Sequence, residues 1–495
     1  MIELPNDIYA AQQVRALDRK AIEIFGIPSY ELMNRAGEAA LQTLSGHWPS
    51  ARSLTIVCGA GNNAGDGYVL ARLAAGDGYQ VRVVSVVPRE RLSGDAARAA
   101  GDWVGAGGET ELFDAAVSLG GDLVVDALLG TGLDRALDGT FAAAVDAINA
   151  ASAPVLALDV PSGLNADTGL VMGNAVRASV TVTFMGLKLG LFLGEAPDHL
   201  GVLEFSDLSV PKQVYDDVAA PLRRLDPSCL RGALARRRRG AHKGAHGNLL
   251  LVGGGPGMSG AIRLAAEAAL RGGAGLVRVA THPHSVPAVA SGRSELMCHA
   301  VPTAAELTAL LALSTGIVLG PGLGRSDWAR ALWAASLDAG LPTVIDADGL
   351  NLLAESDRRQ GDWVLTPHPG EAARLLDSEP RAVQAARLES VRELAETFGA
   401  TVVLKGAGSL IAAPGRTVVS LCDRGNPGMA SAGMGDVLAG VIGALRVQGA
   451  SAVQAAEAGV FIHASAGDAA AAEGGERGVL AGDLMPFIRR WANPS

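Results

Sequence analysis

Sixteen residues, Gly425-Asn-Pro-Gly-Met-Ala-Ser-Ala-Gly-Met-Gly-Asp436-Val-Leu-Ala-Gly440, pack five glycines around a single carboxylate, directly ahead of an apolar helical run from Val437 to Val447. A glycine-rich turn that opens a helix leaves backbone N–H groups unpaired and points the positive end of the helix dipole outward. Phosphate and other anions bind there, because glycine lets the backbone come close. Asp436, in the first turn, would then stand beside the anion, where a catalytic base belongs. The same residue would equally serve as a plain helix cap.

Other chemistry-bearing residues recur in the same kind of setting. Lys405-Gly-Ala-Gly-Ser409, Gly320-Pro-Gly-Leu-Gly324, Asp346-Ala-Asp-Gly-Leu-Asn351 and Thr366-Pro-His-Pro-Gly-Glu371 each follow an apolar run that reads as a strand. A lysine in such a turn suits phosphate as a point charge. His368 sits in a stiff loop between two prolines, although a lone histidine is more often structural than catalytic. In the first half, Asn62, Asn63 and Asp66 follow one strand, Asp126 ends a second, and Asp159 ends a third with Ser162 close behind. Each aspartate alone could be a cap or turn former; three strand ends offering oxygen to one rim are less readily dismissed. His282-Pro-His284 has chelate-like spacing but no partner set, which argues against zinc. Only five of the 41 basic residues are lysines, and three of these (Lys188, Lys243, Lys405) fall in glycine-rich motifs.

These residues need a scaffold of strand ends. Apolar, β-branched runs at Leu54–Cys58, Val81–Val87, Leu123–Ala127, Val155–Asp159 and Val180–Phe184 alternate with helical stretches after a helical start at 9–44. They predict strands buried on both faces of a parallel sheet. The loop Gly59–Gly67 is expected between the first strand and a helix over 68–75. Composition shifts across Pro211–Gly240, placing a domain boundary near residue 220 and domains at 1–217 and 218–495. Alternation then restarts with strands at Asn248–Val252, Leu276–Ala280, Gly316–Leu319, Thr343–Ile345, Trp363–Leu365 and Thr401–Lys405. A hairpin, Leu410–Ala413 with Thr417–Leu421, and two closing helices from Val437 and Val453 complete the second domain. The fold class expected is α/β, and ligands in such sheets gather at the carboxyl ends of strands.

Bulk properties narrow the function. At 495 residues the chain is too long for one ordinary core. No apolar run approaches the roughly 20 residues of a membrane span, and the acidic N-terminus does not read as a signal peptide. Four scattered cysteines (Cys58, Cys229, Cys298, Cys422) suit a reducing cytoplasm. A net charge of −10 argues against nucleic acid, and Arg236–Arg239 reads as a solvated linker or helix end. The expectation is a cytoplasmic homo-oligomer acting on small molecules, without nucleic acid or membrane.

In the first half, Asn62-Asn-Ala-Gly-Asp-Gly67, Asp126-Ala-Leu-Leu-Gly-Thr-Gly132, Leu158-Asp-Val-Pro-Ser-Gly163 and Thr183-Phe-Met-Gly-Leu-Lys188 resemble the NAD(P)H-hydrate epimerases over roughly residues 9 to 215. The resemblance implies a Rossmann-like domain that interconverts the R and S forms of hydrated NADH and NADPH. It assigns a potassium ion to Asn63, Asp126 and Ser162. It assigns the substrate's phosphates and ribose to Asn62, Asn63, Ala64, Gly65 and Asp66 and to Gly130, Thr131, Gly132, Leu133, Asp134, Arg135 and Ala136, with Asp159 reaching the hydrated ring. Ala64 stands where the family usually has glycine, and would carry strain if its φ were positive. Moving the ring hydroxyl needs proton traffic at an oxygen, for which Asp159 as base and Lys188 as acid or electrostatic partner are candidates; a structural salt bridge between them is the competing reading.

The second half resembles the ADP- or ATP-dependent NAD(P)H-hydrate dehydratases over roughly residues 225 to 490, on the strings TPHPGE, KGAGS and GMGDVLAG. That family is ribokinase-like, so the expected architecture is two three-layer αβα domains. The resemblance places substrate at Ala261, Gly324, His368 and Asp436, and nucleotide at Lys405, Gly406, Ala407, Gly408, Ser409 and Gly435, with ADP or ATP as phosphoryl donor and Mg²⁺. Met434 stands where many members carry threonine. Two other functions fit parts of the chain: a ribokinase-like small-molecule kinase, and a non-catalytic sensor of ADP-ribose-like ligands. The joined epimerase-like half and the TPHPGE loop favour repair of hydrated NAD(P)H by epimerisation and dehydration.

Overall fold

In the computed structural model, residues 4–115 and 118–493 are described. The chain divides into two compact units, Met1–Leu222 and Arg223–Ser495.

The first unit carries strands β1 (Asp7–Tyr9), β2 (Ser53–Cys58), β3 (Gln80–Ser85), β4 (Thr110–Leu112), β5 (Leu123–Ala127), β6 (Val155–Leu158), β7 (Val180–Phe184), β8 (Leu187–Lys188) and β9 (Val202–Ser206). Seven of them form a sheet in the order β4-β3-β2-β5-β6-β7-β9, every pair parallel. Side chains alternate between two buried faces. Leu54, Ile56, Leu123, Val125, Leu156 and Leu158 join one core with the helices Ala11–Glu23, Ser29–His47 and Asn62–Gly76. Val57, Val124 and Val155 join another with the helix Gly139–Ala150. This is the period of two expected of strands covered on both sides. The edge strands β4 and β9 escape a sequence reading because they are partly exposed and lack an unbroken apolar run. Chain order runs outward in both directions from β2 and β5, so the crevice beside their carboxyl ends is the topological switch point.

Two local expectations change. The predicted loop Gly59–Gly67 ends at Gly61, and the helix begins at Asn62. Ala64 is therefore a fully buried helical residue with no positive φ, so its methyl group carries no backbone strain. The expected helical start at 9–44 is interrupted: a short strand, β1, precedes it and pairs in parallel with β8, setting Tyr9 opposite Lys188.

After a short strand β10 (Leu222–Arg224), the second unit carries β11 (Asn248–Val252), β12 (Leu276–Thr281), β13 (Met297–Ala300), β14 (Gly316–Leu319), β15 (Thr343–Ile345), β16 (Trp363–Leu365), β17 (Thr401–Leu404), β18 (Ser409–Ala412) and β19 (Val419–Cys422). They run β13-β12-β11-β14-β15-β16-β17-β18-β19, parallel as far as β17 and antiparallel through β18 and β19. Helices Ser259–Arg271, Met434–Val447 and Ala452–Gly474 share one core with Leu249, Leu251, Val318, Val344 and Val403. Leu250, Ile317, Ile345 and Leu365, of opposite parity, are equally buried. Both units are thus parallel α/β layers whose polar loops follow the strands. A third helix, Met485–Trp491, follows the two expected at the end of the chain.

Candidate functional site

At the switch point of the first sheet, β5 ends in Asp126, whose side chain has no solvent exposure. Ser162 Oγ donates to its Oδ1 (2.6 Å), while the amides of Ser162 and Leu128 donate to its two oxygens (2.8 and 3.2 Å). Among the described residues no basic group faces it, and burial pushes its carboxyl up to about 6. Asn63, in the first turn of its helix, donates through Nδ2 to the Leu129 carbonyl (2.9 Å). Its Oδ1 is buried and meets no donor. An ionisable carboxylate without a counter-ion beside an orphaned amide oxygen and a serine hydroxyl is a donor set suited to a hard cation.

Asp159 follows β6 in the left-handed region, φ 66°. A non-glycine residue held there stores about 1 kcal/mol of backbone strain, a feature concentrated at working sites. Its Oδ1 receives Lys188 Nζ and, at 3.4 Å, Thr183 Oγ1. Lys188 is 1% exposed and also donates to Thr183 Oγ1 and the Phe184 carbonyl, both at 2.8 Å. Oδ2 faces the other way, 3.1 Å from where a Cβ on Gly130 would stand. The same point on Gly130 lies 3.7 Å from the Asn63 Cβ, so Asn63, Gly130 and Asp159 meet across one crevice. Asp66, one turn beyond Asn62, is held well above the ordinary carboxylate range by burial, with Asp159 and Asp18 adding to the effect. Asp18, on Ala11–Glu23, joins this field and is pushed up to about 6 by burial. No glycine-rich signal marks it in the sequence. Asn62, Gly132, Asp134, Arg135 and Ala136 are exposed, Thr131 partly so, and Leu133 is turned inward, leaving only its backbone to face a ligand.

In the second unit the carboxyl ends of β15, β16 and β17 bring charges together. Lys405 Nζ donates to Asp346 Oδ1 at 2.7 Å and lies 3.7 Å from Glu371 Oε2. Thr366 Oγ1 donates to the same Asp346 oxygen (2.8 Å). Gly435 closes against this pair: a Cβ there would stand 3.2 Å from Lys405 Nζ and 3.7 Å from Asp346 Oδ2. The helix Met434–Val447 has Gly433 as its N-cap, φ 90°, with no side chain satisfying its first amides. Asp436 is therefore not the capping residue. Burial and then the charge of Asp346 push its carboxyl up to about 7, although Lys405 works against them. Met434 is 5% exposed and packs into the apolar core, so this position presents backbone alone.

His368 caps the helix Pro369–Leu375: its Nδ1 accepts from the amides of Gly370 and Glu371 (3.0 and 3.3 Å). An Nδ1 that accepts from two amides leaves the ring proton to Nε2, which lies 3.5 Å from Glu371 Oε1, and burial and then Lys405 lower the pKa of the ring. Asp348 Oδ2 accepts from the Gly324 amide (2.8 Å). Ala261 Cβ lies 3.3 Å from a Cβ position on Gly322, and Met258 Cε lies 3.4 Å from one on Gly324, which places Ala261 and Gly324 on one rim. Among the described residues no group of three or more His, Cys, Asp or Glu side chains forms a metal cage.

Comparison with known proteins shows the family of the chain. Residues 29–190 match the family model described as YjeF-related protein N-terminus, and residues 249–490 match the model described as NAD(P)H-hydrate dehydratase. A protein of Coxiella burnetii named bifunctional NAD(P)H-hydrate repair enzyme is 48% identical, covering 98% of this chain and 99% of its own. An Escherichia coli protein of the same name is 42% identical, covering 100% of this chain and 95% of its own. The chain belongs to the bifunctional NAD(P)H-hydrate repair enzymes. Among solved structures, a ribokinase-like superfamily protein from Enterococcus faecalis is similar, with TM-score 0.50 and 26% identity over 55% of this chain and 98% of that one. Members of this family join an NAD(P)H-hydrate epimerase to an NAD(P)H-hydrate dehydratase, so this chain is an enzyme of metabolite repair. Among the described residues no helix is long and apolar enough to cross a membrane.

Proposed function

We propose that the first unit epimerises hydrated NADH and NADPH with Asp159 as the group that moves the proton. Lys188 and Thr183 hold Asp159 Oδ1, which leaves Oδ2 to reach the hydroxyl on the hydrated ring carbon. Oδ2 either accepts the hydroxyl proton as the ring opens and returns it as the ring closes, or hands a proton to the hydroxyl so that it leaves as water and takes one back from the water that adds to the other face. Asn62–Asp66 and Gly130–Ala136 bind the phosphates and ribose. A potassium ion would be held by Asn63 Oδ1, Asp126 and Ser162, and when bound it supplies the counter-charge that Asp126 lacks. The unmatched Asn63 oxygen supports this assignment.

The second unit dehydrates the S epimer at the expense of ADP or ATP. Hydroxide leaves poorly, whereas phosphate leaves well. The substrate hydroxyl attacks the terminal phosphoryl group, Asp436 takes its proton, and the phosphorus–oxygen bond to the departing nucleotide breaks. The ring nitrogen's lone pair then expels phosphate, and loss of a proton from the neighbouring carbon restores the dihydronicotinamide. Lys405 and the unpaired amides at Gly433–Asp436 hold the transferring charge. Mg²⁺ bound with the nucleotide would supply further neutralisation of the transferring charge. Ala261, Gly324 and His368 border the nicotinamide side, and Lys405–Ser409 with Gly435 the nucleotide side. One observation carries this reading: Asp436 stands at an uncapped helix start beside Lys405, with its carboxyl near neutrality. Asp436→Asn should abolish nucleotide-dependent recovery of dihydronicotinamide absorbance while ADP still binds by calorimetry. Recovery at the wild-type rate in that variant would remove Asp436 from the role of base.

A further inference from the structure

Arg387 lies in none of the glycine-rich motifs. It opens the helix Arg387–Phe398 and is 4% exposed. Its Nη2 donates to the carbonyls of Gly408 (3.1 Å), Leu404 (3.4 Å) and Lys405 (3.4 Å), and its Nη1 to Gln384 Oε1 (2.7 Å). Its Nε is buried and donates to nothing. Among the described residues no carboxylate answers the guanidinium; burial acts on it, lowering its pKa to about 10. A permanent charge sealed in this way is costly unless a counter-charge arrives from elsewhere.

The direction of those hydrogen bonds matters for the loop above. Within a planar trans peptide, C=O and N–H point opposite ways. The Lys405 carbonyl drawn inward therefore turns the next amide, that of Gly406, outward, and the hold on the Gly408 carbonyl fixes the far end of the loop. The Lys405 amide is taken by the Pro367 carbonyl (2.9 Å), but those of Gly406, Ala407 and Gly408 donate to no protein group among the described residues. Gly406, at φ 143°, is also where a Cβ would stand 3.0 Å from Arg387 Nη1. Three consecutive free amides around glycines form a concavity for an anion.

We infer that Arg387 is a positioning residue for the nucleotide's phosphates: its guanidinium clamps the carbonyls of the Lys405–Ser409 loop from below, so that the amides of Gly406–Gly408 face the phosphates, which are its missing counter-charge. This rests on Lys405–Ser409 being the nucleotide loop. A merely structural arginine would affect every ligand of the loop alike; this one acts on phosphate. The full-length chain with Arg387→Met and with Arg387→Lys is titrated calorimetrically with ADP and with adenosine, and the unfolding temperature serves as the check on folding. Arg387→Met should weaken ADP by about 10- to 100-fold, with adenosine within about twofold of wild type, and KM for ADP should rise more than kcat falls. Arg387→Lys, which keeps the charge but loses the planar fork, should weaken ADP by about tenfold. Equal losses for ADP and adenosine overturn the proposal, as does wild-type ADP affinity in Arg387→Lys even where Arg387→Met cannot be purified. Wild-type protein that binds no ADP overturns the nucleotide-loop reading itself, and the role of Arg387 with it.

Discussion

Asp436 and Asp126 are both carboxylates pushed up by burial, and their surroundings give them opposite tasks. Asp436, at about 7 and beside Lys405, is poised to accept a proton near neutral pH. The dehydratase kcat/KM should therefore rise with pH and level off above about 7, and Asp436→Asn should erase that limb; a flat profile in the wild type would show that the base lies elsewhere. Asp126 sits at about 6 with no basic partner. Because its folded value is above the unfolded one of about 3.9, the contribution of Asp126 to the stability of cation-free protein should be greatest below that lower value and be lost as pH rises through about 6. A cation bound to the ionised form restores what is lost, so potassium should raise the unfolding temperature more at about pH 7.5 than at about pH 5. Equal gains at both pH values would exclude Asp126 from the ligand set. His368 and Met434 show the opposite lesson, since one caps a helix with Nδ1 and the other fills a core.

Helix starts and strand ends do the positioning. Asn63 and Asp66 face the crevice because their helix starts at Asn62, only three residues intervening after β2, rather than after a long loop. Gly435 shows how tight such an arrangement is. Its helical backbone would accept alanine, but the added methyl would meet Lys405 Nζ at 3.2 Å. Gly435→Ala should shift the ammonium and lower dehydratase kcat/KM by about 10- to 100-fold, with the unfolding temperature and the epimerase rate unchanged. Wild-type dehydratase kinetics in that variant would mean that the Lys405–Asp346 pair need not be held so closely.

The two activities belong to separate units, each with its own run of parallel strands and its own crevice. If the dehydratase accepts only the S epimer, full recovery from a mixed hydrate needs both. Asp159→Asn in the full chain should give a normal initial rate of NADH recovery with ADP, then a plateau at the fraction of S epimer supplied. Wild type should run to completion. A progress curve that reaches completion at the wild-type rate in Asp159→Asn would separate Asp159 from epimerisation.

Much of this was legible in sequence because the chemistry lies in short strand-end loops, and apolar runs beside glycine-rich turns mark such loops without reference to the rest of the chain. The α/β class, most central strands and the motifs around Asn62, Asp126, Asp159, Lys405 and Asp436 were readable in that way. Tertiary structure decided what depends on neighbours distant in the chain. It placed Ala64 inside a helix, turned Met434 into the core, freed one oxygen of Asp159 by tying the other to Lys188, and left the Asn63 oxygen without a donor. It also set Arg387 beneath the Lys405 loop and Asp18 in the field of Asp159. Those two residues sit in ordinary amphipathic helices, where burial, and with it the cost of an unpaired charge, is settled only by what packs against them.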